Sequence, residues 1–268
     1  MPDDFLSGIS GEVSGVRAKT AASVADARED ARRRLRLEPL LLRRAALAAP
    51  RRRVLALAIE RTDVPNLLPA ARAELLRSRH DVTFASTAAG NRGKFENLNE
   101  LLERHPAPGH GWLLVVDDDV WLPRGFLDTF LFLAERFELR LAQPAHRRRS
   151  HAGWQVTRRR SGSVARETRF VEIGPVVAFQ SATFDALLPF PALRIGWGLD
   201  AHWSAVASER GWRIGVIDAT AVRHGLRRVA TAYDRRAAVE EARGFLARRP
   251  YVPASDAQTT VCVHRDWR

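Results

Sequence analysis

The sequence predicts an α/β protein: a mostly parallel, doubly wound sheet flanked by helices, preceded by a helical extension. Two observations carry this. Short continuous apolar runs, the mark of strands buried on both faces, stand at 53–60 (RVLALAIE) and 111–117 (GWLLVVD). Segments of helical period alternate with strand-like runs through residue 145, the pattern of helices crossing over a parallel sheet. At 268 residues the chain is long enough to enclose such a sheet in one sizeable core.

Residues 1–52 are rich in Ala, Arg and Leu, and 21–49 reads as one or two helices broken near Pro39. This extension shows no chemistry and is expected to pack outside the core. The main domain is expected over 53–249. After the strand at 53–60 come a helix over 67–79, a strand at 81–86 (DVTFAS) and a helix over 93–105, with Phe95, Leu98 and Leu102 at helical spacing. The strand at 111–117 follows. Pro123 suits the first turn of the next helix, whose apolar face is Phe126, Phe130, Leu133 and Phe137. LRLAQPA (139–145) reads as a strand, and 168–179 is rich in β-branched residues. A helix over 199–211 turns Leu199, Trp203 and Val206 inward, 213–225 reads as a strand pair, and 233–248 as a last helix. The tail, 250–268, is expected to be loosely held.

Hydrophobic residues make up 46% and charged residues 28% of the chain, and no apolar stretch approaches the about 18 residues of a membrane span. With Cys262 alone there is no internal disulfide and no cysteine zinc site, and no secretory signal is visible. A reduced, cytoplasmic protein is the expectation. Net charge is +12, and only Lys19 and Lys94 of the 43 basic side chains are lysine. Residues 146–169 hold eight arginines against Glu167. Such a stretch is a solvated loop, a phosphate site, a nucleic-acid patch or a contact with anionic lipid, which would make the protein peripheral to the inner face of a membrane.

The sharpest feature is Asp117-Asp118-Asp119, directly after four apolar residues. At about 4 Å and an effective dielectric of about 20, each close pair of carboxylates repels by about 4 kcal/mol. Continued strand geometry would point Asp117 and Asp119 to one face and Asp118 to the other. In a doubly wound sheet, ligands sit beyond the carboxyl ends of the strands. Carboxylates there suit a hard divalent cation, Mg²⁺ or Mn²⁺, which would offset the repulsion. A solvated turn of capping acids is the plain alternative.

Haloacid-dehalogenase phosphatases place acids after such a strand, as D-x-D-x-T/V. Here Trp121 fills the last position, and both lysines precede the acids. The chain more closely resembles the GT-A glycosyltransferases, family 2-like members included, on three motifs in order. These are the acids at 117–119, GWGLDAHW (196–203), which is similar to a G-W-G-x-D/E segment of inverting members, and His224 in AVRHG. The resemblance covers about 55–225. It implies a GT-A-like, Rossmann-like sheet and a metal-dependent, inverting transferase. Such an enzyme moves a sugar from a nucleotide-diphosphate sugar donor to a hydroxyl acceptor, whether glycan, lipid-linked or small molecule.

The resemblance further implies Asp117, Asp119 and His224 as ligands of Mn²⁺ or Mg²⁺ and Asp200 as the general base. Thr62, Asp63, Ser86, Asn91, Arg92, Lys94 and Asp118 would surround the donor, and Trp197, Gly198 and Glu172 the acceptor and sugar. Each position also has a plainer reading. In that reading Gly196 and Gly198 form a tight turn around a core Trp197, Asp200 caps a helix, His224 belongs to the core, and Glu172 solvates a strand edge. Gly90 and Gly93 lead into a helix whose amides, beside Arg92 and Lys94, suit an anion. Two other functions compete: a nucleotidyl or phosphoryl transferase using the same acids, and a basic nucleic-acid-binding protein. Against the latter, the arginine clusters lack interleaved aromatics, so no nucleic acid is expected.

Overall fold

A computed structural model describes residues 3–8, 11–226 and 234–268. In chain order the elements are α1 (Val16–Leu35), α2 (Glu38–Ala48), β1 (Arg53–Glu60), α3 (Leu68–Leu76), β2 (Asp81–Ala88), α4 (Lys94–Arg104), β3 (Trp112–Asp117) and β4 (Val120–Trp121). Next come α5 (Phe126–Arg136), β5 (Leu139–His146), β6 (Ala165–Thr168), β7 (Val176–Gln180), α6 (Phe184–Leu187) and α7 (Leu199–Glu209). The chain then forms β8 (Arg213–His224), α8 (Arg235–Leu246), α9 (Ala254–Ala257) and β9 (Thr260–His264).

The protein is a mixed α/β fold around one sheet in the order β2-β1-β3-β7-β5-β8-β6-β9, with β4 attached to β8. β1, β2, β3, β5, β8 and β9 run one way; β4, β6 and β7 oppose them. The sheet is mostly parallel in direction and covered on both faces. Alternation along the central strands shows why their sequences are continuously apolar. Leu55, Leu57, Leu113 and Val115 join one core with Phe95, Trp203 and Phe245, from α4, α7 and α8. Val54, Ala56, Leu114 and Val116 join the other with Leu42, Leu75 and Phe130, from α2, α3 and α5.

Five expectations are corrected. Pro123 precedes its helix: α5 starts after Gly125, whose left-handed backbone (φ 72°) ends the preceding turn. The strand does not continue through the acids, because β3 ends at Asp117 and Asp118–Asp119 form a turn into β4. Residues 213–224 are one long strand, not a pair. No turn forms at Gly215 or Asp218, and the chain instead bulges between Ile217 and Val222, where β8 advances five residues against two in β5. The tail is ordered by pairing, since β9 forms the sheet edge against β6. The helical extension is not only an outer layer: Phe5 and Leu42 are buried in the two cores, Ala46 is buried beside them on α2, and α1 buries the polar stripe Asp26, Glu29 and Arg33. The start of the last helix falls partly on 227–233, outside the described residues.

Candidate active site

A cleft of about 900 Å³ opens at the edge of the sheet where β1, β3 and β8 end and β7 begins. It gathers every residue proposed from sequence except Ser86, which lies exposed on edge strand β2. That strand ends its pairing only at Ala88, so the turn that reaches the cleft begins after Ser86.

The three acids share their repulsion among three separate partners. Asp117 Oδ1 accepts a hydrogen bond from Lys94 Nζ at 2.6 Å, and that ammonium also reaches the Ile173 carbonyl at 3.1 Å. The buried Asp118 accepts the backbone N–H of Arg61 at 2.8 Å, fixing the turn after β1. The buried Asp119 meets His224 Nε2 at 3.0 Å. The last contact depends on the two-residue strand β4: Val120 pairs with His224 and Trp121 with Arg223, which sets Asp119 beside the imidazole. Burial, the largest single influence, opposes a charge on His224, but the hydrogen bond to Asp119 and the surrounding acidic charges together outweigh it. With the charges of Asp119, Asp117 and Glu172, that bond holds the pKa above the ordinary imidazole value.

Two sequence-proposed roles change here. Asp117 is occupied by Lys94, so the carboxylate expected to bind metal and the ammonium expected to bind phosphate neutralise one another. The amides before α4 are also used: Gly93 N–H donates to Glu96 Oε2 at 2.6 Å and Lys94 N–H to the Arg194 carbonyl at 2.9 Å. Arg92 pairs with Glu100. Asn91, Thr62 and Asp63 line the cleft from exposed turns, with Arg61 3.4 Å from Asp63.

Asp200 sits in the first turn of α7, but Gly198 (φ 82°) is the residue that caps the helix, with no side-chain cap bond. Asp200 is buried, and its Oδ1 accepts the N–H of the next residue, Ala201, at 2.9 Å. Desolvation pushes its carboxyl up to about 7, and the charge of Glu172 adds to the shift against backbone hydrogen bonds that lower it. An acid half-ionised at neutral pH in a cleft is suited to proton transfer.

Glu172 does not solvate an edge. It is buried and accepts from Trp154 N–H at 2.9 Å and Thr157 Oγ1 at 3.0 Å, while its other oxygen meets the buried His146 Nε2 at 2.8 Å. Three protein partners leave it a fixed charge near Asp200 rather than an open contact for an acceptor. Trp197 is half-buried against the core, with the Arg235 guanidinium 5.9 Å from its ring. Gly196 and Gly198 have φ of 90° and 82°, and a Cβ on Gly196 would stand 2.1 Å from Phe95. The glycines are therefore needed for packing as well as for the turn.

Glu241 of α8, which nothing in the sequence singled out, accepts backbone N–H groups of Arg194, Ile195 and Gly196 at 2.7, 3.0 and 2.8 Å. It orders the loop that carries Trp197. His146 was also missed, although a histidine at the end of a strand beside the acids was a visible signal.

The basic stretch is neutralised in part: Arg147, Arg159 and Arg166 are paired with acids, while Arg148, Arg149 and Arg160 are exposed. Arg147 and Arg159 both pair with Asp30 of α1, and the carboxylate of Asp26 accepts the backbone N–H groups of Arg148 and Arg149 at 3.0 Å each. Arg166 makes a bidentate pair with the buried Asp218, at 2.8 and 3.1 Å. Arg158 donates to the carbonyls of Ser150 and Gly11, at 3.2 and 3.1 Å.

Among the described residues, no group of three or more His, Cys, Asp or Glu is arranged to hold a metal ion. The Asp119–His224 pair nonetheless offers a carboxylate oxygen and an imidazole nitrogen to the cleft, a donor set that fits Mn²⁺. Two protein ligands suffice where substrate phosphates and water complete the shell.

No protein-family model matches the sequence, and no curated protein matches it. Among solved structures the chain is similar to GalNAc-T7 in its crystal structure with UDP, GalNAc and Mn²⁺, at TM-score 0.44 and 11% identity over 66% of this chain and 43% of that one. It is also similar to S. aureus TarS 1-349 in complex with UDP-GlcNAc, at TM-score 0.43 and 14% identity over 68% and 62%. The chain thus covers less than two thirds of either structure.

Proposed function

We propose that the protein is a GT-A-type, metal-dependent glycosyltransferase that inverts configuration as it moves a sugar from a nucleotide-diphosphate donor to a hydroxyl acceptor. The observation that carries this reading is the meeting, in one cleft, of the Asp119–His224 pair with a buried Asp200 whose carboxyl titrates at about 7. Asp119 and His224 would hold Mn²⁺ or Mg²⁺, which when bound supplies charge stabilisation to the departing diphosphate. Asp117 and Lys94 form the wall beside it, and Asp118 fixes the turn carrying Thr62 and Asp63, where the donor's base and ribose are read.

Asp200 takes the proton of the acceptor hydroxyl as its oxygen bonds to the anomeric carbon and the bond from that carbon to the diphosphate oxygen breaks. Glu172, held by His146, keeps a negative charge nearby that favours the protonated carboxyl of Asp200. A glycan, lipid-linked or small-molecule hydroxyl would approach past Trp197. A cytoplasmic protein peripheral to the inner face of a membrane fits this reading.

The test is release of nucleoside diphosphate from a panel of nucleotide sugars, UDP-linked ones first, with Mn²⁺ or with EDTA. Metal-dependent release is expected from the native chain, and Asp119→Ala should abolish it while leaving the fold intact. Full nucleotide affinity in EDTA by calorimetry would show the role given to Asp119 and His224 to be wrong.

A further inference from the structure

The join between α1 and α2 exposes leucines where a soluble surface has no use for them. Of the ten exposed large hydrophobic residues among those described, four fall between residues 35 and 47: Leu35 (87% exposed), Leu37 (57%), Leu40 (47%) and Leu47 (49%). Scattered apolar side chains are ordinary, whereas a group confined to one corner marks a contact surface. Leu37 adds a second sign. Its backbone is left-handed (φ 52°), a conformation L side chains rarely adopt, and the residue stays outside the core.

Along α2 the outward face runs Leu40, Arg43, Arg44 and Leu47, at spacings of three, four and seven, while Leu42 and Ala46 are buried on the opposite side. Arg34 and Arg36 are exposed at the join. The one acid of this stretch, Glu38, is turned to Arg33 at 2.6 Å and does not neutralise the face.

We infer that this corner, Leu35, Leu37, Leu40 and Leu47 ringed by Arg34, Arg36, Arg43 and Arg44, is a docking surface for an anionic lipid bilayer. Leucines and arginines interleaved on one short helix suit an interface in which apolar side chains enter the acyl boundary while guanidinium groups stay among the phosphates. A second copy of the chain fits poorly, because a two-fold contact would set these arginines against their own equivalents. A nucleic-acid backbone would use the arginines but leave the leucines in water. The inference does not depend on the proposed reaction, and it places membrane contact at the α1–α2 corner rather than on the stretch 146–166, where Arg147, Arg159 and Arg166 are paired with acids.

The experiment is co-sedimentation of the full chain with phosphatidylcholine vesicles, with and without phosphatidylglycerol, at low and moderate salt. Binding to the anionic vesicles alone, weakened by salt, is expected. Arg43→Gln with Arg44→Gln should weaken it about thirtyfold, from the worth of two basic side chains near an anionic surface. Leu40→Ser with Leu47→Ser should weaken it about tenfold, from the apolar area withdrawn. Both variants change exposed side chains, and their melting temperatures should match the native chain. Native binding by both variants overturns the inference. So does loss only in the arginine variant with parallel loss of duplex DNA binding, which would mark a polyanion surface, or a chain that ignores vesicles.

Discussion

The acid turn at 117–119 and the basic loop at 146–166 concentrate charge of opposite sign, and the fold answers them differently. Each acid has its own partner from a different element: Lys94 for Asp117, the Arg61 amide for Asp118, His224 for Asp119. All three border the cleft. The basic loop is met chiefly by one helix, α1, with Asp26 and Asp30 at a spacing of four, and by Asp218 beneath. The first arrangement leaves charged groups facing a cleft; the second ties Arg147, Arg159 and Arg166 to acids within the protein and leaves Arg148, Arg149 and Arg160 on the surface. A run of like charge therefore signals a site only when its neutralising partners also face open space.

That contrast predicts chemistry lost from one region and stability lost from the other. The largest effect is expected for Asp200→Asn, which should lower transfer by about 10²- to 10⁴-fold while leaving the melting temperature unchanged or raised, since it removes a buried ionisable group. Steady-state kinetics beside calorimetry will tell; a lower melting temperature with normal turnover would reassign Asp200 to structure. In the other region, Asp218→Ala strands the buried Arg166 and should cost about 3–5 kcal/mol in denaturant unfolding. Activity per folded molecule should survive, and if it falls with no stability change the comparison fails.

The two regions should also respond to pH with opposite sign. Asp200 titrates at about 7 when folded, far above an unfolded aspartate, so its burial costs nothing below about pH 4. The cost grows as pH rises to 7, by at most about 4 kcal/mol. Asp30 is shifted down: burial, the largest single influence, raises its pKa, but the hydrogen bonds and charges of Arg147 and Arg159 together outweigh it. Its stabilisation is present above about pH 4 and lost as pH falls through the lowered value. The stability gap between Asp200→Asn and the native chain should therefore widen from pH 4 to 7, whereas Asp30→Ala should lose its penalty only on stronger acidification. Unfolding curves at several pH values measure both, and a gap for Asp200→Asn that is flat with pH would refute its raised pKa. The smallest effect is the Asp30→Ala penalty itself at neutral pH, about 1–2 kcal/mol, for a carboxylate a quarter exposed against a buried guanidinium.

Much of the fold was legible because central strands announce themselves. The run 53–60 is the strand β1 residue for residue, since its interior, 54–58, is covered on both faces and admits no polar positions. What stayed hidden has equally physical reasons. The inner stripe of α1 is Asp26, Glu29 and Arg33, so a search for apolar periodicity sees only a solvated helix. Strand β9 is half-exposed at an edge and carries no strong pattern. In the site, the acids, Asp200 and His224 were visible as residue types. Their pairing was not, because the Asp119–His224 contact spans a hundred residues and rests on the two-residue strand β4. That Lys94 would be taken by Asp117 follows from packing that no local pattern encodes.

The long strand β8 has a consequence for how this chain can diverge. It carries Asp218, which anchors the basic loop, and six residues later His224, which completes the acid turn. Insertions in surface loops cost a chain little. A single residue gained or lost between Val222, which pairs with His146 beyond the bulge, and His224 would slip the Val120–His224 pairing or turn the imidazole to the other face. The segment is thus a ruler of fixed length, and relatives that keep both ends are expected to vary its side chains but not its count.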